Sequence, residues 1–275
     1  MTYYFYRNDV TLTAIEQFKE VRIAVAFMSQ GGLDIIKPSL EANLQAEGYV
    51  EFLVGLDMTV TEPKALQFVY ELSKTANIAI FCLTPFTPGT IYHPKLYLFR
   101  KDDRVMSIIG SSNLTTSGLK TNLEINVAIQ ANAQDKIISD TFDAYYQLKF
   151  HQHRVAPDQE FIDLYSQIYE RGRRQKRQLK LDASSTQLMK TLEEKINSMQ
   201  HPVPTRRDLI GWLEMVYDFL PDGEFTNNEI YAYKGIFKQK YPGNQNIEAK
   251  IRQQLQTLRS LGFVEHLGKA HWRKL

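Results

Sequence analysis

The chain has 275 residues, 43% hydrophobic and 23% charged, with six histidines and one cysteine. That length supports one large domain or two smaller ones, and the lone Cys82 excludes a disulfide framework and a cysteine-based zinc site. The net charge of +2 hides an uneven spread: residues 1–170 carry 14 Lys and Arg against 20 Asp and Glu, residues 171–275 carry 19 against 11, so a basic module expected to meet phosphate follows an acidic one.

The first 20 residues lack the basic-then-apolar layout of a signal peptide, and no apolar run approaches the roughly 18 residues of a membrane span. A cytoplasmic protein without membrane contact is the expectation. RIAVAFM (22–28), VEFLVGL (50–56), NIAIFCL (77–83), KLYLFR (95–100), VMSIIG (105–110) and LEINVAI (123–129) read as strands, being short β-branched and apolar runs bounded by turn residues. LDIIKPSLEANLQAEG and EPKALQFVYELSKTA, in the first two gaps, have helical spacing. The order predicts a mixed α/β fold, with the amphipathic DKIISDTFDAYYQLKFHQ covering the sheet.

ERGRRQKRQLKLDASS (170–185) is crowded with Arg and Lys and reads as a linker or basic arm. Beyond it, RRDLIGWLEMVYDFL, FTNNEIYAYKGIFKQKYPG and NIEAKIRQQLQTLRSLG read as three helices. In the third, Ile247, Ile251, Leu255, Leu258 and Leu261 fall on one face. FVEHL and AHWRKL then form a hairpin about Gly268-Lys269. Three helices and a terminal hairpin predict a C-terminal winged helix-turn-helix, its third helix placed for a major groove. The expected domains are 1–168, catalytic; 169–204, linker or arm; and 205–275, DNA-binding.

Chemistry concentrates in YHPKLYLFRKDDRVMSIIGSSNLTTSGLKTNLEIN (92–126). His93 and Lys95 are two apart on a predicted strand, so both emerge on one face. An imidazole can attack phosphorus while an ammonium stabilises the phosphoryl oxygens. Asn113 and Ser111 lie on the GSSN turn, where they can donate to the same oxygens. Glu124 begins the next strand and can hold a histidine in the needed tautomer. These are the groups that phosphoryl transfer needs without a metal.

This H-x-K followed by GSxN resembles the phospholipase D superfamily over roughly residues 1–170, and its metal-independent restriction endonucleases most of all. One position departs: the aspartate expected a few residues after the lysine is absent, and Arg100 stands near there. The resemblance implies a phospholipase D-like mixed sheet flanked by helices, a phosphohistidine intermediate and no metal or other cofactor. It implies His93 as nucleophile or general acid, Lys95 and Asn113 as phosphate binders, Glu124 as the orienting carboxylate, and Ser111 beside them. Enzymes of this superfamily use two H-x-K motifs per reaction centre, and here His151, His153, His201, His266 and His271 are not followed two residues on by lysine. A homodimer sharing one centre is therefore expected.

KQKYPGNQNIEAKIRQQLQTLRSLGFVEHLGKAHWRKL is similar to the winged-helix domain of Dam-replacing, methyl-directed restriction endonucleases, which implies contact with double-stranded DNA. Asn244, Gln245, Asn246, Lys250, Gln253 and Gln254 are the candidate base contacts. Lys269, Arg273 and Lys274, with Arg171, Arg173, Arg174, Lys176 and Arg177, are the candidate phosphate contacts. The leading expectation is a site-specific, metal-independent restriction endonuclease, with a separately encoded methyltransferase left open as a partner. The competing readings are a DNA-binding regulator with a non-catalytic dimerisation domain, and a phospholipid phosphodiesterase.

Overall fold

The computed structural model describes residues 2–6, 10–83, 91–175, 183–199 and 203–275. The elements are β1 (Thr2–Tyr6), α1 (Val10–Gln17), β2 (Glu20–Val25), α2 (Gln30–Gln45), β3 (Tyr49–Gly55), α3 (Pro63–Ser73), β4 (Ile78–Leu83), β5 (Lys95–Lys101), β6 (Arg104–Gly110), β7 (Asn126–Asn132), α4 (Lys136–Lys149), β8 (Arg154–Val155), α5 (Gln159–Gln175), α6 (Ala183–Ser198), α7 (Gly211–Asp218), β9 (Glu224–Thr226), α8 (Asn227–Tyr231), α9 (Lys234–Lys240), α10 (Ile247–Ser260), β10 (Val264–Gly268) and β11 (His271–Lys274). They form two compact units: residues 1–131 with 151–202, and residues 132–150 with 203–275.

The first unit is built on a mixed sheet of order β1-β7-β6-β5-β2-β3-β4-β8. β2, β3 and β4 run parallel because α2 and α3 cross over between them, and β5 then pairs antiparallel to β2. β2 and β3 are buried on both faces: Val21, Ile23, Ala24, Val25, Phe52, Leu53 and Val54 are fully buried, as are the charged Arg22 and Glu51 within the same strands. The register pairs Val25 with Lys95 and Leu96 with Ile109. The C-terminal ends of β2 and β6 and the start of β5 therefore meet at one end of the sheet, where the chemistry-bearing residues lie. Cys82 is buried in β4, and burial pushes its thiol well above the ordinary range.

Two boundaries differ from the sequence reading. The expected linker, 169–204, begins inside α5 and includes α6; Tyr169, Leu192 and Ile196 from it join the core of the first unit beside Phe161, Ile162, Tyr165 and Ile168 from the earlier turns of α5. Tyr165 also donates its hydroxyl to the Thr61 carbonyl at 2.7 Å. Arginines dominate the composition there, yet Tyr165, Ile168, Tyr169 and Gly172 share one helical face. The second difference is α4, expected to belong to residues 1–168, which groups with the C-terminal unit. Its last residue, Lys149, forms a buried ion pair with Asp208. Asp208 in turn accepts from the Thr205 N–H and hydroxyl.

Within the second unit, α7 to α10 enclose Trp212, Phe225, Ile230, Phe237, Ile251, Leu255, Leu258 and Trp272, and β10, β11 and β9 form a three-stranded sheet. The expected second helix is two short ones. Thr226 and Glu229 make a reciprocal capping box that starts α8, and the chain breaks before α9. The wing turns through Gly268, Lys269 and Ala270, all at positive φ. None of the described helices is long and apolar enough to cross a membrane.

Gly32, in the first turn of α2, carries a specific demand. A Cβ there would lie 2.2 Å from the Leu114 carbonyl oxygen, so Gly32→Ala must push the GSSN loop away. The expected cost is about 1–3 kcal/mol, seen as a lowered thermal midpoint. Gly235, exposed in α9 with nothing within 4 Å of its Cβ position, is the control: Gly235→Ala is expected to stabilise by about 0.5–1 kcal/mol.

Candidate active site and nucleic-acid interface

His93 does not lie on the strand, as the sequence reading had it. It sits in residues 91–94, just before β5, and is exposed. That segment is tied down on both sides of the histidine. The Tyr92 N–H donates to Asp57 Oδ2 at 2.8 Å, and the Ala26 N–H donates to the Pro94 carbonyl at 2.9 Å. Gly55 lets the Tyr92 ring approach, since a Cβ there would lie 2.8 Å from it. The Phe27 ring meets the imidazole edge-on at 5.6 Å.

Lys95 opens β5 and turns back to the imidazole, with Nζ 2.6 Å from Nδ1 and 3.0 Å from Nε2. Partial burial, and then the neighbouring ammonium, hold the His93 pKa below its ordinary value. Burial also lowers the Lys95 pKa, and the Glu124 carboxylate opposes that shift. The ring is thus biased toward its neutral, nucleophilic form.

The GSSN turn leaves β6 and is fastened to the segment after β2. Asn113 Oδ1 accepts from the Phe27 N–H at 3.1 Å, and the Ser29 N–H donates to the Leu114 carbonyl at 3.0 Å. The Asn113 Nδ2 group has no partner among the described residues. Ser111 donates its hydroxyl to Glu124 Oε2. Glu124 precedes β7 rather than beginning it, and its Oε1 accepts from Asn122 Nδ2 at 2.9 Å. Its described partners are thus Ser111 and Asn122, with no hydrogen bond to His93 among the described residues. Arg100 lies five residues beyond Lys95, toward the other end of β5. Asp57, Phe27 and Asn122 escaped the sequence reading; only the N-x-E-x-N alternation at 122–126 offered a signal.

Exposed apolar side chains flank these groups. Ile91, Ile109, Leu123 and Ile125 are 55%, 41%, 88% and 65% exposed. No group of three or more His, Cys, Asp or Glu is placed to hold a metal ion among the described residues.

On the C-terminal unit the proposed contacts sort by their partners. Lys250, Gln253 and Asn244 line a cleft of about 650 Å³ with Trp212, Tyr241 and residues of α4. Asn244 Oδ1 accepts from the Asn246 N–H, and Asn246 Oδ1 accepts from the Ala249 N–H, so both acceptors serve the start of α10. Gln245 is exposed. Gln254 is 6% exposed, because it shares the core stripe with Ile251, Leu255 and Leu258, and it drops out as a surface contact. Arg273 is bound by Glu224 and Glu265 at 2.7 and 3.0 Å, and Lys274 by Asp222 at 3.1 Å. Lys269 is exposed at the wing turn, with no ion pair among the described residues. Arg173 is exposed near the end of α5 and lies 5.8 Å from the Tyr169 ring centroid, while the side chain of Arg174 and all of Lys176 and Arg177 lie outside the described residues.

Residues 1–146 match the family described as "Cardiolipin synthase, PLD-like domain", and residues 206–274 match the Dam-replacing HTH domain. Among solved structures, NucT from Helicobacter pylori is 13% identical with a TM-score of 0.42, over 57% of this chain and 99% of NucT. Nuc from Salmonella typhimurium, a phospholipase D family member, is 18% identical with a TM-score of 0.39, over 53% of this chain and 93% of Nuc. Phosphatidylserine synthase of Haemophilus influenzae is 13% identical with a TM-score of 0.46, over 64% of this chain and 45% of that enzyme. With the H-x-K and GSxN segments meeting at one end of the sheet, and the first match spanning more than half of its length, the chain belongs to the phospholipase D-like family and carries a Dam-replacing helix-turn-helix domain at its C-terminal end.

Proposed function

We propose that the protein is a DNA phosphodiesterase, an endonuclease that cuts double-stranded DNA at sites chosen by its C-terminal unit. The observation that carries this reading is the gathering of His93, Lys95, Ser111, Asn113 and Glu124 at one end of the sheet in a chain that also holds a Dam-replacing helix-turn-helix domain. An imidazole nitrogen of His93 attacks phosphorus and forms a P–N bond. The P–O bond to the leaving strand breaks, and that oxygen takes a proton from a second imidazole. Water then attacks phosphorus and gives a proton to that second ring; the P–N bond breaks and returns the His93 imidazole. Lys95 and the Asn113 amide bind the non-bridging oxygens.

The second imidazole comes from a second copy of the chain. The exposed Ile91, Ile109, Leu123 and Ile125 around a half-site with a single H-x-K support this, since such a rim gains by burial against its own symmetry mate. The function then divides as residues 1–168 for cleavage and 205–275 for recognition, although α4 packs with the latter unit.

Digestion of methylated and unmethylated plasmid in EDTA, followed by end sequencing, tests the whole reading. Cleavage at defined sites is expected, with His93→Ala reducing it more than about a thousandfold; intact DNA, or cleavage of phospholipid vesicles instead, would sink it.

The pH profile has a definite sign. One ring must be neutral and the other protonated, so the rate peaks near the pKa of the histidine pair. Both copies of His93 are lowered by burial and by Lys95, so kcat/KM is expected to peak on the acidic side of about 6.5.

On the interface, Lys250→Ala and Lys269→Ala are expected to weaken duplex binding and to reduce the slope of log Kd against log salt by about one each. Arg273→Ala should leave that slope unchanged, because Glu224 and Glu265 already neutralise the guanidinium. A drop in slope for Arg273→Ala would return it to the contact surface.

A further inference from the structure

Glu124 is gripped at both carboxylate oxygens. Asn122 Nδ2 donates to Oε1 at 2.9 Å, and Ser111 Oγ donates to Oε2. The Ser111 oxygen is itself set by the Ile125 N–H, which donates to it at 3.0 Å. A free glutamate has a broad terminal torsion, and two donors from different segments remove that freedom.

The pattern continues two residues on. Asn126 Nδ2 donates to Ser112 Oγ at 2.9 Å, and Asn126 Oδ1 accepts from the Ser112 N–H at 3.3 Å. Gly110 makes room for it: a Cβ there would lie 2.2 Å from Asn126 Oδ1. Residues 122, 124 and 126 thus zip the serines of GSSN to the entry of β7. Asn126 does so in the core, at 2% exposure; Asn122 does so at the surface, on the carboxylate alone.

We propose that Asn122 is a positioning residue of the candidate site, whose amide, together with the Ser111 hydroxyl, fixes the Glu124 carboxylate beside the GSSN turn. This rests on the reading of Lys95 as the cation that binds the reacting phosphate. Among the described residues, the groups acting on Lys95 are His93, against which it lies, and Glu124, whose charge opposes the effect of burial. Release of Oε1 lets the carboxylate turn from its held position, its opposition to the effect of burial weakens, and the Lys95 pKa falls further. The protonated ring of the histidine pair sets the alkaline limb of the rate profile, so the change is read on the Lys95 titration itself. Asn122 is exposed and its truncation opens no core cavity, so the folded state survives the test.

The experiment uses the full chain with Asn122→Ala and Asn122→Gln. NMR titration of the Lys95 side chain in the free protein is expected to show its pKa lowered by about half a unit in Asn122→Ala, with Asn122→Gln, which keeps a donor, nearer wild type. In the cleavage assay kcat/KM should fall about three- to tenfold at an unchanged thermal midpoint, with the limbs set by the histidine pair unmoved. A loss of rate with the Lys95 titration unmoved would make Asn122 a turn residue and overturn the proposal. The titration needs no substrate: a wild-type chain that cuts no DNA sinks the nuclease reading, and the Lys95 shift still decides the role of Asn122.

Discussion

The Phe27 N–H donates to the side-chain carbonyl of Asn113, and most of the site's geometry follows from that bond. Phe27 follows the end of β2 and Asn113 the end of β6, strands separated by β5 in the sheet. The bond therefore bridges over the start of β5, where Lys95 begins the strand and His93 precedes it. It also orients the asparagine, for once Oδ1 is taken by the backbone only Nδ2 remains to face an incoming oxygen. The neighbouring Met28–Leu114 bridge and the Ser29 cap of α2 brace the same loop. Gly32 permits this because a side chain there would collide with Leu114. A loop held by backbone donors and closed against a glycine has little room to drift, which phosphoryl transfer requires of its donors.

The electrostatics divide between groups that answer one another and groups left available. On the wing, Arg273 and Lys274 are answered by Glu224, Glu265 and Asp222, so a count of basic residues overstates the charge open to phosphate. The Lys149–Asp208 pair is buried with Thr205 completing the acceptor, an arrangement whose disruption would strand a charge. At the site, by contrast, the Lys95 ammonium faces a neutral-biased imidazole and the field of Glu124. A cation beside a neutral-biased imidazole is an arrangement suited to an anionic ligand.

Local pattern reported β2 to β6 and the third helix of the winged domain well, because each depends on periodicity, while it missed β1 and β8 and began β7 three residues early. It failed where composition masked periodicity. The basic residues after Glu170 drew the linker over Tyr169, Leu192 and Ile196, which pack into the core of the first unit. It failed again at Gln254, polar in type but placed by the helical repeat on the buried stripe. The partners of Glu124 were not legible, since Ser111 and Asn122 meet it only when the GSSN turn folds against the entry to β7.

What the sequence determined by itself was the inventory: one H-x-K pair, one GSxN turn, one carboxylate after it, and a basic helical module with a wing. Those are properties of residue type and spacing, which folding does not alter. What only tertiary structure decided was which of these groups are answered and which are free. That depends on contacts between segments far apart in the chain, Phe27 with Asn113, Lys149 with Asp208 and Arg273 with Glu224, and no local pattern encodes a partner dozens of residues away.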